Sequence, residues 1–198
     1  MKNKIEMIND RDGAREIMMK TVAWCERKGL DMPGSWRREY AEEYIDKEIR
    51  PTDGEYFVFV ADGKAVGACI LQDWDSNKEW KKYGYAKKCL YLNKFCVADE
   101  YHGTGVARGM LDAVKRRAVA GGFESIRCVA LEKVAPIYIN NGFFPHWTFV
   151  GAMTGRTFVR LAWYRWTPGE FETIWRGAGR FNLRRIFYKF IKRVFWFL

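Results

Sequence analysis

Histidine is nearly absent from this 198-residue chain, which has only His102 and His146. Cysteine is present but unpatterned: Cys25, Cys69, Cys89, Cys96 and Cys128 are five in number and form no C-x-x-C pair. That spacing excludes the usual zinc frameworks, and an odd set in apolar surroundings reads as free buried thiols, so no metal is expected. Free thiols in turn point to a reducing compartment, the cytoplasm. The opening MKNKIEMINDRDGAREI lacks the apolar core of a signal peptide. No apolar run approaches the ~18 residues of a membrane-spanning helix. Gly-Lys-Ser and Gly-Lys-Thr are missing, which removes a Walker phosphate loop. There is no internal repeat and no low-complexity segment.

Apolar residues are plentiful. The chain is 48% hydrophobic and 17% aromatic, enough for one sizeable core and against disorder over most of its length. The net charge of +10 is unevenly placed: residues 176–198 carry seven cations and no acid. The body is therefore only mildly basic, and the strong positive signal belongs to the tail.

The periodicities predict strand, two helices, three strands, helix, strand, helix and two strands. KIEMIND is a short strand, and Ile17, Met18, Val22 and Cys25 mark a helix ended by Gly29. A second helix follows Ser35 as N-cap. Asp62-Gly63 joins two strands as a hairpin, and residues 75–88 read as an exposed loop. CLYLNKFCVADEY is a strand of β-favouring residues. Val106, Met110, Leu111 and Val114 line one face of the next helix, which ends near Gly121. SIRCVAL is a buried strand, VAPIYINNGF a short helix, and a last hairpin turns near Met153 to Gly155. The fold class is mixed α/β. Parallel pairing is possible only across the helix at 105–121. A boundary near Thr167-Pro168-Gly169 divides residues 1–167 from a tail at 168–198.

Three glycines crowd the stretch EYHGTGVARGML between that strand and helix. A glycine turn feeding a helix N-terminus suits an anion, because the first N–H groups are unpaired and the dipole is positive there. The dinucleotide fingerprint G-x-G-x-x-G fails, since Arg108 stands where the third glycine belongs and Gly109 comes one place late. On local chemistry alone the segment reads equally well as a phosphate cradle or a plain turn.

His102-Gly103-Thr104-Gly105-Val106-Ala107 resembles the acetyl-CoA turn [QR]-x-x-G-x-[GA] of the GNAT N-acetyltransferase superfamily, with His102 in the place of Gln or Arg. Tyr138-Ile139-Asn140-Asn141-Gly142-Phe143 resembles the Y-x-x-x-G-F ending of that superfamily's tyrosine-bearing helix. Leu131 stands where many members carry Asn. By order of elements the resemblance covers residues 3–166, with its strong motifs between 90 and 144. It implies a twisted, mostly antiparallel sheet with one central parallel pair and flanking helices. It implies acetyl-CoA as co-substrate and direct transfer of acetyl to an amine in a ternary complex. Phe95, Cys96 and Val97 would run beside the pantetheine arm. The N–H groups of His102, Gly103, Thr104, Gly105, Val106 and Ala107 would take the pyrophosphate, with Arg108 adding charge. Tyr138 would protonate the leaving thiolate, its phenol being protonated at neutral pH.

Other readings stay beside these. Asp73, Asp75, Glu132 and His146 are candidate bases, each also readable as a solvated surface group. Residues 30–55 and 75–88 carry no motif but flank the acceptor side. Transfer of a longer acyl chain, or to aminoacyl-tRNA, is the alternative activity, and a non-catalytic CoA-binding module tethered by its tail is the rival class. In residues 180–198 Ile186, Phe187, Phe190, Ile191, Val194, Phe195 and Leu198 recur at helical spacing among cations. Such a basic amphipathic helix covers its own domain, a second copy in a homodimer, or an anionic membrane surface. Nucleic acid is not expected, because stacking aromatics would need exposure.

Overall fold

A computed structural model describes residues 5–30, 54–73, 88–151 and 154–165. The predicted helix after Ser35, most of the loop at 75–88 including Asp75, part of the turn near Met153 and the tail at 168–198 lie outside the described residues. So does the boundary near Thr167.

Seven strands form one sheet: β1 (Glu6–Asn9), β2 (Gly54–Ala61), β3 (Lys64–Asp73), β4 (Cys89–Val97), β5 (Ser125–Leu131), β6 (Phe144–Val150) and β7 (Thr157–Tyr164). Their order is β1-β2-β3-β4-β5-β7-β6. Every pairing is antiparallel except β4 with β5, the pair that the crossover helix made possible. Asp62 and Gly63 both take positive φ, the geometry of a two-residue hairpin turn between β2 and β3.

Helix α1 (Arg11–Arg27) covers one face of the sheet and α2 (Val106–Ala120) the other. Ala14, Ile17, Met18 and Val22 of α1 pack with Tyr56, Val58, Ala68, Ile70 and Cys96. Met110, Leu111, Val114 and Ala118 of α2 pack with Phe57, Phe59, Leu90, Leu92, Ile126 and Cys128. With both faces covered, β2 reads as a continuous apolar run, Tyr56 to Phe59, all buried. Helix α3 (Ala135–Ile139) follows β5 and carries Tyr138.

The parallel ladder is short. Cys89, Leu90 and Tyr91 pair with Ser125, Ile126 and Arg127, and β4 and β5 pair no further. On its other side β4 stays with β3 as far as Val97. The register of that ladder shifts by one residue between Ala68 and Ile70. The extra residue falls at Lys94, which holds a left-handed φ of 48° and donates its N–H to Asn93 Oδ1 at 2.9 Å. A bulge bends its strand and increases the local twist, so β4 turns aside where the ladder with β5 ends. A cleft opens between them.

Candidate active site

The two helices begin in opposite ways. Asp10 caps α1, its carboxylate accepting the Gly13 N–H at 3.0 Å. No side chain caps α2, whose N-cap is Gly105. Gly103 and Gly105 hold φ of +77° and +83°, where other residues are strained, and a Cβ at either would meet nothing within 4 Å. Glycine is needed at both for conformation, and the space beside the turn is open.

The turn does not offer all its donors. His102 N–H is bound to Asp99 O at 3.2 Å, Thr104 N–H to Tyr101 O at 3.3 Å and Arg108 N–H to Gly105 O at 3.1 Å. The Thr104 hydroxyl donates to Tyr101 O at 2.7 Å. The N–H groups of Gly103, Gly105, Val106 and Ala107 make no hydrogen bond among the described residues. Four open donors at the positive end of a 15-residue helix could hold an anion. Arg108 is exposed beside them. The donor set fits a pyrophosphate.

The His102 side chain ties the turn to its neighbours. Its Nε2 lies 2.9 Å from Val97 O, and its ring meets Trp24 of α1 edge-on at 4.5 Å. Carbonyl oxygen only accepts, so Nε2 carries the proton, and that donor is spent on the end of β4.

Along β4, Ala98 N–H donates to Val66 O at 3.0 Å. Antiparallel alternation then turns the N–H and C=O of Cys96 toward β3, and those of Val97 and Phe95 toward the cleft. Of the three residues expected beside an extended ligand arm, Phe95 and Val97 turn backbone groups to the cleft, the Val97 carbonyl already accepting from His102. Cys96 contributes packing instead, buried against α1. Burial pushes its thiol up to about 11, so it is protonated at neutral pH and is no nucleophile.

Tyr138 stands at the same cleft. Its ring lies 5.9 Å from that of Phe95 and 5.6 Å from that of Phe143, the latter T-shaped. It is 6% exposed, and its hydroxyl makes no hydrogen bond among the described residues. Burial, and after it the neighbouring Cys128, Cys69, Cys96 and Tyr91, holds the phenol well above its ordinary value. It therefore persists as a proton donor.

The candidate bases scatter. Asp73 is opposite Leu90, at the closed end of the parallel ladder and roughly 15 Å along β4 from Phe95. His146 Nε2 is 2.8 Å from the Tyr164 hydroxyl, and Tyr164 pairs with Ser125, also at the closed end. Glu132, exposed just past β5, is at the open end. Sequence reasoning missed Trp24 and Lys94. The adjoining polar pair Asn93-Lys94 inside an apolar strand was the one available sign of the bulge.

A sheet split beyond its parallel pair, with an uncapped helix at the mouth, is the arrangement that the resemblance to GNAT N-acetyltransferases implies. The model of the acetyltransferase (GNAT) family matches residues 16–143, and the chain belongs to that family. It is an acyltransferase with acetyl-CoA as co-substrate. No curated protein sequence matches it. Among solved structures it resembles AAC(6')-Ib in complex with paromomycin and acetyl-CoA, at 12% identity and a TM-score of 0.61, covering 86% of this chain and 97% of that one. It also resembles a chimera of the Vibrio cholerae spermidine N-acetyltransferase SpeG with hSSAT, at 13% identity and a TM-score of 0.56, over 82% of this chain and 96% of that one. FeeM, an N-acyl amino acid synthase from uncultured soil microbes, aligns at 15% identity and a TM-score of 0.55, over 83% and 92% respectively. At these identities the likeness is one of fold.

Proposed function

We propose that the chain transfers an acyl group from acetyl-CoA to an amine by direct attack within a ternary complex. The observation that carries this reading is the uncapped N-terminus of α2, with its four open N–H groups, at the end of the cleft that Phe95 and Tyr138 line. Gly103, Gly105, Val106 and Ala107 hold the pyrophosphate through backbone N–H groups, and Arg108 adds charge. The pantetheine arm lies along Phe95 and Val97, completing the strand that β5 leaves unpaired. A backbone N–H from this segment polarises the thioester carbonyl.

The amine nitrogen attacks the carbonyl carbon, a C–N bond forms and the C–S bond breaks. The electron pair leaves with sulfur, which takes the proton of the Tyr138 hydroxyl. The acceptor nitrogen gives up its proton to water, with Glu132 at the open end a candidate relay among the described residues, and the Tyr138 phenolate takes a proton back from water as CoA leaves. No residue of the chain becomes acylated, in keeping with the buried protonated state of Cys96.

Neighbours of the same fold act on or bind amines by name, spermidine among them, which supports an amine acceptor here. The likeness to an N-acyl amino acid synthase brings longer acyl donors into the same trial. Calorimetry with acetyl-CoA, followed by an amine panel read by thiol release with acetyl and longer donors, tests the proposal. Saturable binding and amine-dependent release support it. Tight binding with no release from any amine would leave a CoA-binding module in its place.

A further inference from the structure

Lys115 sits ten residues beyond Gly105 on α2, its side chain 18% exposed. Its Nζ donates to Asn141 O at 2.6 Å and lies 3.3 Å from Asp112 Oδ1. The ammonium also stands 6.0 Å over the ring of Phe143. Asn141 and Phe143 belong to the turn that closes α3. In that turn Asn141 N–H and Phe143 N–H both donate to Tyr138 O, at 2.9 and 3.1 Å, and the Phe143 ring supports the Tyr138 ring. Asn141 Nδ2 further ties the turn to Ile137 O at 2.7 Å.

Helix α3 has five residues, too few to hold its own geometry. Its C-terminal carbonyls are electronegative, and a cation there is stabilising. Lys115 supplies that cation from the helix whose other end carries the anion site. One rigid element thus grips both the turn beneath Tyr138 and, ten residues earlier, the phosphate cradle.

We propose that Lys115 is a positioning residue for acyl transfer: by clamping Asn141 O it holds Tyr138 at a set distance from the N-terminus of α2, and so from the sulfur of a CoA anchored there. The proposal rests on Tyr138 being the acid. A displacement of about 1 Å at such a group costs on the order of 100-fold in rate, whereas the cradle itself is untouched by losing Lys115.

The test is a double-mutant cycle on the full chain, with Lys115→Met and Lys115→Arg made alone and in a Tyr138→Phe background. Lys115→Met is expected to lower kcat by roughly 10-fold or more while the calorimetric Kd for acetyl-CoA changes by less than about 3-fold. Lys115→Arg, which keeps a donor, is expected to recover most of the loss. In the Tyr138→Phe background Lys115→Met is expected to cost nothing further. An undiminished loss in that background overturns the proposal, as does an equal loss of acetyl-CoA affinity. Full activity of Tyr138→Phe removes the acid assignment and this proposal together. A Tyr138→Phe loss beside a fully active Lys115→Met removes this proposal alone. If Lys115→Met fails to fold, Lys115→Gln, which retains a shorter donor, runs through the same cycle.

Discussion

The imidazole of His102 donates from Nε2 to the carbonyl oxygen of Val97 at 2.9 Å. Val97 ends the strand that borders the cleft, and His102 opens the glycine turn, so this bond sets the angle at which one leads to the other. Trp24 closes the group from α1 with an edge contact at 4.5 Å. His102 is a strut between strand, turn and helix, and the Gly103 and Gly105 N–H groups make no hydrogen bond among the described residues.

From that role, His102→Ala is expected to lower stability by about 1 kcal/mol, the worth of one hydrogen bond and a partly exposed ring contact. Acetyl-CoA affinity is expected to fall by less than about 10-fold, since no open donor is removed. Thermal melting and calorimetry read the two quantities. A loss of affinity near 100-fold with unchanged melting would mean that the ring is itself a phosphate ligand.

Glycine substitutions separate conformation from binding. Gly105→Ala forces a side chain into φ +83°, and Gly63→Ala does the same at φ +73° in the β2–β3 turn. Both are expected to cost about 1–2 kcal/mol of stability. Only Gly105→Ala is expected to lose acetyl-CoA binding as well. Gly109→Ala brings a Cβ within 2.7 Å of Ile5 Cδ1, the movable end of a side chain, while gaining helix propensity. It is expected to be near neutral in both measurements. Equal binding losses at Gly63 and Gly105 would refute the cradle.

Tyr138→Phe is expected to lower kcat by on the order of 100-fold and leave the Kd for acetyl-CoA nearly unchanged. The sign of the pH dependence follows from burial, which raises the phenol above its ordinary value. The hydroxyl then keeps its proton past the pH at which a free tyrosine loses it. A kcat profile to alkaline pH is expected to show no descending limb from this group below pH about 10. A limb near neutrality that vanishes in Tyr138→Phe would contradict the assignment.

The buried thiols predict an alkaline weakness. Burial raises the Cys96 thiol from 9.0 to about 11, while an unfolded chain gives up that proton near 9.0. The contribution is whole below pH about 9 and is lost as pH rises through about 11, amounting in full to about 3 kcal/mol. Urea midpoints between pH 8 and 11 are expected to fall, and to fall less in Cys96→Ala. Cys25, half-buried at the end of α1, is expected to react first with a thiol reagent. Cys69, Cys89, Cys96 and Cys128 are buried and should wait for unfolding. Rapid labelling of all five would show the core to be open.

Much of this fold was legible along the chain because its signals are local. Asp62-Gly63 announced a hairpin, the spacing of Met110, Leu111 and Val114 announced the buried face of α2, and both stand as expected. Gly109 broke the dinucleotide pattern and proves to be the point where α2 passes close to Ile5. The strut formed by His102 was not legible, because its partners Val97 and Trp24 come from a strand end and a different helix. The bulge at Lys94 was hidden for a related reason: register is a property of two strands, and one strand's sequence does not state it.

The sequence by itself determined the order of the described elements, the single crossover that permits a parallel pair, the glycine turn at Gly103 and Gly105 and the tyrosine placed before Gly142-Phe143. These follow from propensity, periodicity and turn chemistry over a few neighbouring residues. Tertiary structure decided which donors of the turn remain open, which of Phe95, Cys96 and Val97 face the cleft, and that Asp73 and His146 stand at the sheet's closed end. It also brought Lys115 to Asn141. Each of these depends on how strands pair and helices dock, and pairing distributes hydrogen bonds between segments far apart in the chain.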